Sequence, residues 1–464
     1  MHRHFALLLA AFALMFAPVA VTHIEARKNA PVLVKDDPNE AFEAFNRLLP
    51  LVVTGDDADA TAVREALGDK SPWVVIGAVE AVRQGEVSKS GKGKVFLPDI
   101  IALMDEKQKK LHKEEIVTVN VIACLGVLAE KDSPEALQVA QALVNWQKWS
   151  DNEVVRLRHM AEKVLFNISG EDCTLKAETV GFWEWWIRNK ANAQPDKPPE
   201  KQSKTAPIIF KEPAVGTRIV FVIDVSDSMK WPINEEDLPK IKKLTSHLDW
   251  DKMPDPCCAM DLAKAELMHS IDALQPGAEN PDAKGGKSTK WSKNDPERRY
   301  FSIITYSQEV VNFSEGWVEA TEKNCNVWKA KVEELEPESY TNIHGALLMA
   351  MGLHEKGVKT DNLELDKDCV LGGAHTIVFL TDGYATWSND STDRTEKDQF
   401  GNPVGNGEFV TREKLLELAV RINRFRKVVI NTVGIGNHDK ELMRDLAKQS
   451  GGSYQNWYCR IVYK

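Results

Sequence analysis

An oxygen-rich turn follows one apolar run of this chain, and its side chains are suited to binding a cation. The stretch Arg218 to Met229 reads RIVFVIDVSDSM, so the apolar run ends at Asp224, Ser226 and Ser228. The Asp-x-Ser-x-Ser pattern places one carboxylate and two hydroxyls on a single turn. These hard oxygen donors suit Mg²⁺ or Mn²⁺ far better than zinc or copper. Because serine and aspartate are also common turn and N-cap residues, the pattern requires further ligands elsewhere in the chain.

Buried strands are predicted to position these donors. The apolar run Ile219–Ile223 is typical of a strand that is buried on both faces of a parallel sheet. A second run of this kind, Thr376–Leu380, is followed almost at once by Asp382, and Thr341 stands just before a predicted helix. Polar residues therefore follow buried elements, and the carboxyl ends of strands are where open α/β sheets bind ligands.

In the second half of the chain, segments with helical periodicity alternate with apolar runs that are typical of strands. Helices are predicted at Met260–Leu274, Val327–Leu335, Asn342–Leu353, Leu415–Phe425 and Lys440–Lys448. Further strands are predicted at Tyr300–Tyr306, Val310–Trp317 and Val428–Ile435. Strand–helix alternation predicts the α/β class, with a doubly wound, mostly parallel sheet covered by helices on both faces.

Three motifs in this half resemble the von Willebrand factor A (VWA) domain. They are DVSDS, YTNIHGAL and FLTDG, in this order and spacing, and the resemblance covers about residues 215–458. It implies a metal-ion-dependent adhesion site in which one Mg²⁺ or Mn²⁺ is held by Asp224, Ser226, Ser228, Thr341 and Asp382. It also implies a protein partner that offers a Glu or Asp carboxylate. Because hydroxyl ligands add little charge, such a cation stays electrophilic and keeps a coordination position open.

The sequence departs from the family pattern between the two serines and in two insertions. Asp227 stands where the family often has glycine, which predicts an additional negative charge close to the cation. The insertions Lys230–Pro256 and Tyr384–Phe409 both leave the carboxyl ends of predicted strands. We therefore expect both insertions to surround the metal face and to determine partner specificity.

The first half of the chain is predicted to be all-helical over residues 36–190. Three of its segments resemble one another when they are aligned on Ala81, Ala123 and Ala161, at intervals of about 40 residues. This period, with two helices per repeat, resembles HEAT repeats, whereas an irregular antiparallel bundle is the alternative. A Pro/Lys-rich linker, residues 191–213, is predicted to separate this domain from a VWA domain over residues 214–464.

The N-terminus and the overall charge indicate a compartment and exclude some partners. Residues 1–26 combine a short basic segment with an apolar run that is short for a membrane span, so a signal peptide is predicted. We expect a secreted or periplasmic protein with no transmembrane segment in the mature chain. The net charge of −10 argues against a general affinity for nucleic acid or anionic membranes.

Three classes of function follow from these features. The leading hypothesis is a binding protein, not an enzyme, that captures an acidic partner group through the cation. A metal-dependent hydrolase is the alternative, for which His344 is the only candidate base close in sequence to the site. The third hypothesis is a structural scaffold of the cell envelope in which the metal only stabilises the fold.

Overall fold

The structure, a computed structural model, falls into two compact units, residues 1–102 and 103–464. It describes residues 38–54, 56–88, 92–150, 154–170, 180–190, 206–277, 297–397 and 403–462, together with the single residues 197, 199, 295 and 401. The predicted signal peptide and most of the predicted linker lie outside these residues. The domain bounds 36–190 and 214–464 therefore stay a prediction, although residues 103–190 group with the α/β region by contact.

The first unit is helical. Its helices are α1 (Pro38–Thr54), α2 (Asp57–Leu67), α3 (Pro72–Val87) and α4 (Leu97–Leu103), the last of which ends at the boundary of the unit. Helices α1 and α3 approach closely at Gly77, where an added Cβ would lie 2.4 Å from the carbonyl oxygen of Ala41. Glycine is required there because any side chain would push the two helices apart.

The second unit begins with four more helices. They are α5 (Glu115–Leu128), α6 (Pro134–Trp149), α7 (Val155–Ser169) and α8 (Val180–Asn189). Ala81, Ala123 and Ala161, on which the predicted repeats were aligned, lie on α3, α5 and α7. Ala81 and Ala161 are fully buried, whereas Ala123 is half-buried. The assignment to HEAT repeats stays a prediction.

The remaining elements alternate between strands and helices. In chain order they are β1 (Ile208–Ile209), β2 (Glu212–Pro213), β3 (Arg218–Asp224), α9 (Leu238–Leu244), α10 (Ala259–Ala273), β4 (Tyr300–Tyr306), β5 (Val310–Val311), β6 (Val318–Glu319), α11 (Glu322–Glu333), α12 (Ile343–Gly352), β7 (Leu353–His354), β8 (Gly357–Val358), α13 (Lys367–Gly372), β9 (Thr376–Thr381), β10 (Glu396–Lys397), β11 (Pro403–Val404), α14 (Arg412–Asn423), β12 (Val429–Ile435), α15 (Lys440–Ser450) and β13 (Tyr454–Trp457). A helical region thus precedes an α/β region, as the sequence predicts.

The main sheet has the order β13-β12-β9-β3-β4-β5, and β6 also pairs with β4. The five strands from β13 to β4 are parallel to their neighbours, whereas β5 and β6 are antiparallel to β4. The predicted α/β class, with a mostly parallel sheet behind a helical region, is confirmed. One strand was predicted wrongly, since Val310–Trp317 is broken by a turn at Glu315 and Gly316, whose φ angles are 58° and 132°.

Strand β3 contributes alternate side chains to two separate cores. Ile219, Phe221 and Ile223 pack in the core that also contains residues of α10 and α11. Val220 and Val222 pack in the opposite core, with residues of α12, α14 and α15. Because successive side chains of a strand point to opposite faces, an unbroken apolar run is required by a sheet covered on both sides.

Among the described residues, none of the helices combines the length and apolar character that crossing a bilayer requires.

Candidate metal centre

The central strand β3 is the point at which the strand order of the sheet reverses. After β3 the chain continues to β4 on one side, and β9 occupies the other side. Asp224 is the last residue of β3 and Asp382 directly follows β9, while Ile223 pairs with Leu380 in the parallel register. Two carboxylates therefore leave neighbouring strand ends at the switch point, where α/β sheets commonly bind ligands.

Asp224 is fully buried, and protein donors reach both of its carboxylate oxygens. The backbone N–H of Ser226 donates to Oδ1 at 2.8 Å, and the hydroxyl of Thr381 donates to Oδ2 at 2.6 Å. Burial raises the pKa of Asp224, and these hydrogen bonds lower it. The carboxylate is thus fixed in one orientation at the end of the strand.

Ser226, Ser228 and Asp382 form a continuous chain of contacts. The two serine hydroxyls lie 3.1 Å apart, and the Ser228 hydroxyl donates to Oδ1 of Asp382 at 2.7 Å. The other oxygen of Asp382, Oδ2, is buried and receives no hydrogen bond in the structure. A buried acceptor without a donor costs about 1–3 kcal/mol, so this atom calls for a partner that the protein does not provide.

Thr341 brings its hydroxyl to the same place from a different loop. A Cβ added at Gly383 would lie 3.8 Å from the Thr341 hydroxyl and 3.7 Å from that of Ser228, so the two hydroxyls face a shared space. The alternative role for Thr341, capping the following helix, is taken by Asn342, whose side chain accepts from Gly345 N at 2.8 Å. The Thr341 hydroxyl is therefore not used in the cap.

The site is acidic and largely closed to water. Asp224, Ser226, Thr341 and Asp382 are at most 5% exposed, and Ser228 is half-buried. Burial holds the pKa of Asp382 well above its ordinary value, and the negative charge of Asp224 raises it further. Two buried carboxylates are therefore placed near each other, an arrangement that a cation would relieve.

Three further residues position the site, and the sequence did not indicate them. Thr381 holds Asp224 through its hydroxyl and also accepts from Gly383 N at 3.2 Å. Tyr306 pairs with Asp224 in the register of β3 and β4, and its hydroxyl donates to the carbonyl of Leu380 at 3.0 Å. Thr386 accepts from Thr341 N at 2.9 Å. Only the tertiary fold could have identified these roles. Tyr306 and Thr381 lie on β4 and β9, which flank β3 in space and not in sequence, and Thr386 lies in the loop after β9.

Two other residues that the sequence singled out lie in different surroundings. Asp227 accepts from Lys230 Nζ at 2.8 Å and its side chain is 56% exposed, so its charge is paired and screened by solvent. His344 stacks on Phe409 at 4.2 Å, and its Nδ1 accepts from Asn389 N at 3.3 Å. Burial lowers the pKa of His344. His344 is thus placed as a packing residue that contacts Asn389 and Phe409.

The five predicted residues fit a small, hard divalent cation. They present two carboxylates and three hydroxyls, which are the oxygen ligands that Mg²⁺ and Mn²⁺ prefer. The unpartnered Oδ2 of Asp382 faces no protein donor, whereas Asp224 has a donor on each oxygen.

Comparisons with known proteins identify no family for this chain. No protein-family model matches the sequence, and no curated protein matches it. Among solved structures, the chain is similar to a von Willebrand factor type A protein from Catenulispora acidiphila, with 14% identity and a TM-score of 0.30 over 52% of this chain and 38% of that one.

Two further solved structures show the same degree of similarity. The PilB minor pilin from Streptococcus sanguinis is 14% identical, with a TM-score of 0.28 over 53% of this chain and 59% of the pilin. An aerotolerance-related membrane protein from Bacteroides fragilis is 13% identical, with a TM-score of 0.27 over 52% of this chain and 91% of that one. The chain thus spans less than two thirds of the first two proteins. At such identities and TM-scores, the similarities carry no argument about function.

Proposed function

We propose that this protein captures an acidic group of a protein partner through a divalent cation, Mg²⁺ or Mn²⁺. The residues that would hold the cation are Asp224, Ser226, Ser228, Thr341 and Asp382. The observation that carries the proposal is the buried Oδ2 of Asp382, which receives no hydrogen bond. This oxygen belongs to a carboxyl group whose pKa is raised by the charge of a second buried carboxylate, that of Asp224. A cation at this place would satisfy the orphaned oxygen and offset the repulsion between the two acids.

The five residues would have different roles in such a site. Asp224 already accepts two hydrogen bonds, which suits a carboxylate that reaches the cation through water. Asp382 has a free oxygen, which suits direct coordination. The three hydroxyls add donors without adding negative charge. When bound, the cation would offer an electrophilic position to a carboxylate of the partner.

The proposal is for a binding protein and not for an enzyme. A hydrolase would need a general base within hydrogen-bond reach of a metal-bound water. His344, the candidate base, is engaged with Phe409 and Asn389. The proposed location is the secreted or periplasmic space, which rests on the signal peptide predicted for residues 1–26. The helical region would provide a second protein-binding surface, if it forms HEAT repeats.

Calorimetric titration with Mg²⁺ and Mn²⁺ tests the metal site. We expect the wild-type chain to bind either cation. Asp382→Asn should lose more than about 100-fold in affinity, because the loss of an outer-shell partner already costs up to that factor and Asp382 is proposed as a direct ligand. Asp227→Asn is the matched control, because it removes the same charge from an exposed position. It should change the affinity less than about fivefold, since exposed ion pairs contribute under about 1 kcal/mol. A wild-type protein that binds neither cation would refute the proposal.

Partner capture is tested by affinity purification from the native envelope fraction, once with Mg²⁺ and once with EDTA. We expect a partner that is retained with Mg²⁺, released by EDTA and not retained by Asp382→Asn. If chelation lowers the melting temperature of the protein while every partner stays bound, the metal has a structural role and the adhesion proposal is wrong.

A further inference from the structure

Three planar side chains are stacked beside Thr341. The Arg394 guanidinium carbon lies 3.4 Å from the ring centroid of Tyr340, and the Tyr340 ring stacks on Trp387 with centroids 6.2 Å apart and an interplanar angle of 27°. All three side chains are half-buried, so each keeps some exposure to solvent. We call this group the Arg394 stack. Its members come from the Thr341 loop and from the second predicted insertion.

Backbone hydrogen bonds fix the Arg394 stack to the metal centre. The N–H groups of Thr386 and Trp387 both donate to the carbonyl of Thr341, at 3.0 and 3.2 Å. Thr341 N donates in return to the Thr386 hydroxyl at 2.9 Å. Tyr340 is the residue before Thr341 in the chain. The stack and a proposed ligand of the cation are therefore parts of the same small structure.

Arg394 carries a charge that the described part of the chain leaves unpaired. No carboxylate among the described residues is within ion-pair distance of Arg394, and its Nε is buried without an acceptor. Two acids of the same loop are engaged elsewhere: Asp393 accepts from Thr395, and Asp390 accepts from Glu408 N. A guanidinium that rests its face on an aromatic ring retains its N–H groups for an acceptor of matching geometry.

The overall charge makes a local cation useful at this place. The chain has a net charge of −10 and would repel an acidic segment as a whole. A fixed arginine beside the cation would offset this repulsion and would favour carboxylates, which arginine binds with two parallel hydrogen bonds. Leaving such a guanidinium half-desolvated and unpaired is unfavourable for the free protein, so a ligand that pairs with it gains affinity.

We propose that the Arg394 stack is a second anion subsite, which selects partners whose metal-binding Glu or Asp is accompanied by another carboxylate nearby. One carboxylate would complete the coordination of the cation, and the other would pair with the Arg394 guanidinium. The class of ligand is therefore an acidic protein segment with two neighbouring carboxylates. This inference rests on the proposed function, because it needs a first carboxylate at the cation.

Peptide binding to the full chain tests the subsite. The probes are fluorescent Gly/Ser peptides that carry Glu-x-Glu, Glu-x-Gln or Gln-x-Gln, titrated by anisotropy in saturating Mg²⁺ and in EDTA. We expect the wild type to bind Glu-x-Glu roughly tenfold more tightly than Glu-x-Gln, the affinity that one charged hydrogen bond of at least ~1.4 kcal/mol provides. Arg394→Gln should abolish this preference, and Arg394→Lys should retain part of it.

The control is Lys397→Gln, which removes an exposed cation from the same loop. It should keep the preference for two acids. An unchanged Mg²⁺ affinity of Arg394→Gln would show that the variant keeps the metal centre intact. If Arg394→Gln keeps the tenfold preference, or if the wild type has none while it binds Glu-x-Gln with Mg²⁺, the subsite is refuted and the proposed function stands. If no peptide shows Mg²⁺-dependent binding to the wild type, the proposed function fails.

Discussion

Strand β3 has a base at its first residue, Arg218, and an acid at its last, Asp224, and the partners of the buried charges differ between the two ends. At the amino end, Arg218 donates to the carbonyls of Gly372 and Leu371 at 3.1 and 3.2 Å. Nearby, Arg156 of α7 donates to the carbonyl of Arg426. Burial lowers the pKa of both arginines. Both arginines therefore find carbonyl acceptors in the chain, and Glu115 lies 3.4 Å from Arg156 as an ion-pair partner, although Nε of Arg156 has no acceptor.

The carboxyl end has the opposite charge, and among the described residues no base forms an ion pair with its acids. Asp224 and Asp382 are as deeply buried as Arg156, and Oδ2 of Asp382 has no donor. Burial raises the pKa of both acids. Helices α5 and α7 contribute to the amino end, for example through Asn120, which donates to the carbonyl of Phe425 at 2.8 Å. Each end thus has an unsatisfied polar atom, but only the amino end has a partner of opposite charge, Glu115. We therefore call the amino end the closed end and the carboxyl end, whose two acids lack such a partner, the open end.

Removal of a base at the closed end should give the largest loss of stability. Arg156→Ala removes the donor to Arg426 and leaves a cavity at a position that is 4% exposed. We expect the free energy of unfolding to fall by about 3 kcal/mol, the size of a buried hydrogen bond to a charged group. Urea unfolding followed by circular dichroism measures the change. Arg188→Ala, at an exposed position of α8, should change it by less than about 0.5 kcal/mol.

A similar stability for the two arginine variants would mean that the amino end is not closed by its hydrogen bonds. The affinity for Mg²⁺ should be the same in both variants, because the change lies at the other end of β3.

The closed end should also lose stability in acid. His159 Nδ1 accepts from Gly216 N at 3.1 Å, which requires an unprotonated nitrogen, and burial lowers its pKa to about 3. Between the ordinary value of 6.5 and that value, the unfolded chain binds a proton that the folded chain does not. Stability contributed by the neutral ring is therefore present above pH 6.5 and is lost as the pH falls.

We expect this residue alone to cost about 2 kcal/mol of unfolding free energy between pH 6.5 and 5. His159→Gln does not titrate, and its side-chain carbonyl can accept the same N–H. Urea titrations at both pH values should therefore show a pH dependence that is weaker by about this amount in the variant. An equal pH dependence in both proteins would assign the acid sensitivity to other groups.

More of the residues at the carboxyl end of β3 than of those at its amino end could be predicted from the sequence. The runs that form β3 and β9 are apolar without interruption, because both faces of the sheet are covered, and each is followed by its aspartate. Local patterns of this kind are visible in one chain. Thr341 could be found only through the family resemblance, since a threonine before a helix equally suggests a cap.

The contacts that depend on strand order could not be predicted. Thr381 and Tyr306 hold the Asp224 end of β3 because β9 and β4 are its neighbours in space. His159 and Asn120 contact residues that are 57 and 305 positions away in the sequence. The stack of Arg394 on Tyr340 likewise joins two loops. Nothing in the composition of these segments indicates such pairings, because each depends on the tertiary fold.

Neutralising an acid at the open end should have a smaller effect, and its sign should depend on the metal. In EDTA, Asp382→Asn removes one of two neighbouring buried charges, so we expect the free energy of unfolding to rise by about 1 kcal/mol. In Mg²⁺ at about 100 times its Kd, the wild type should gain about 2.7 kcal/mol and the variant much less, so the order of the two proteins reverses. Asp227→Asn, whose charge is exposed and paired, should follow the wild type in both conditions. Urea unfolding with and without Mg²⁺ measures both differences. A variant that is less stable than the wild type in EDTA as well would show that the protein itself already stabilises the charge of Asp382.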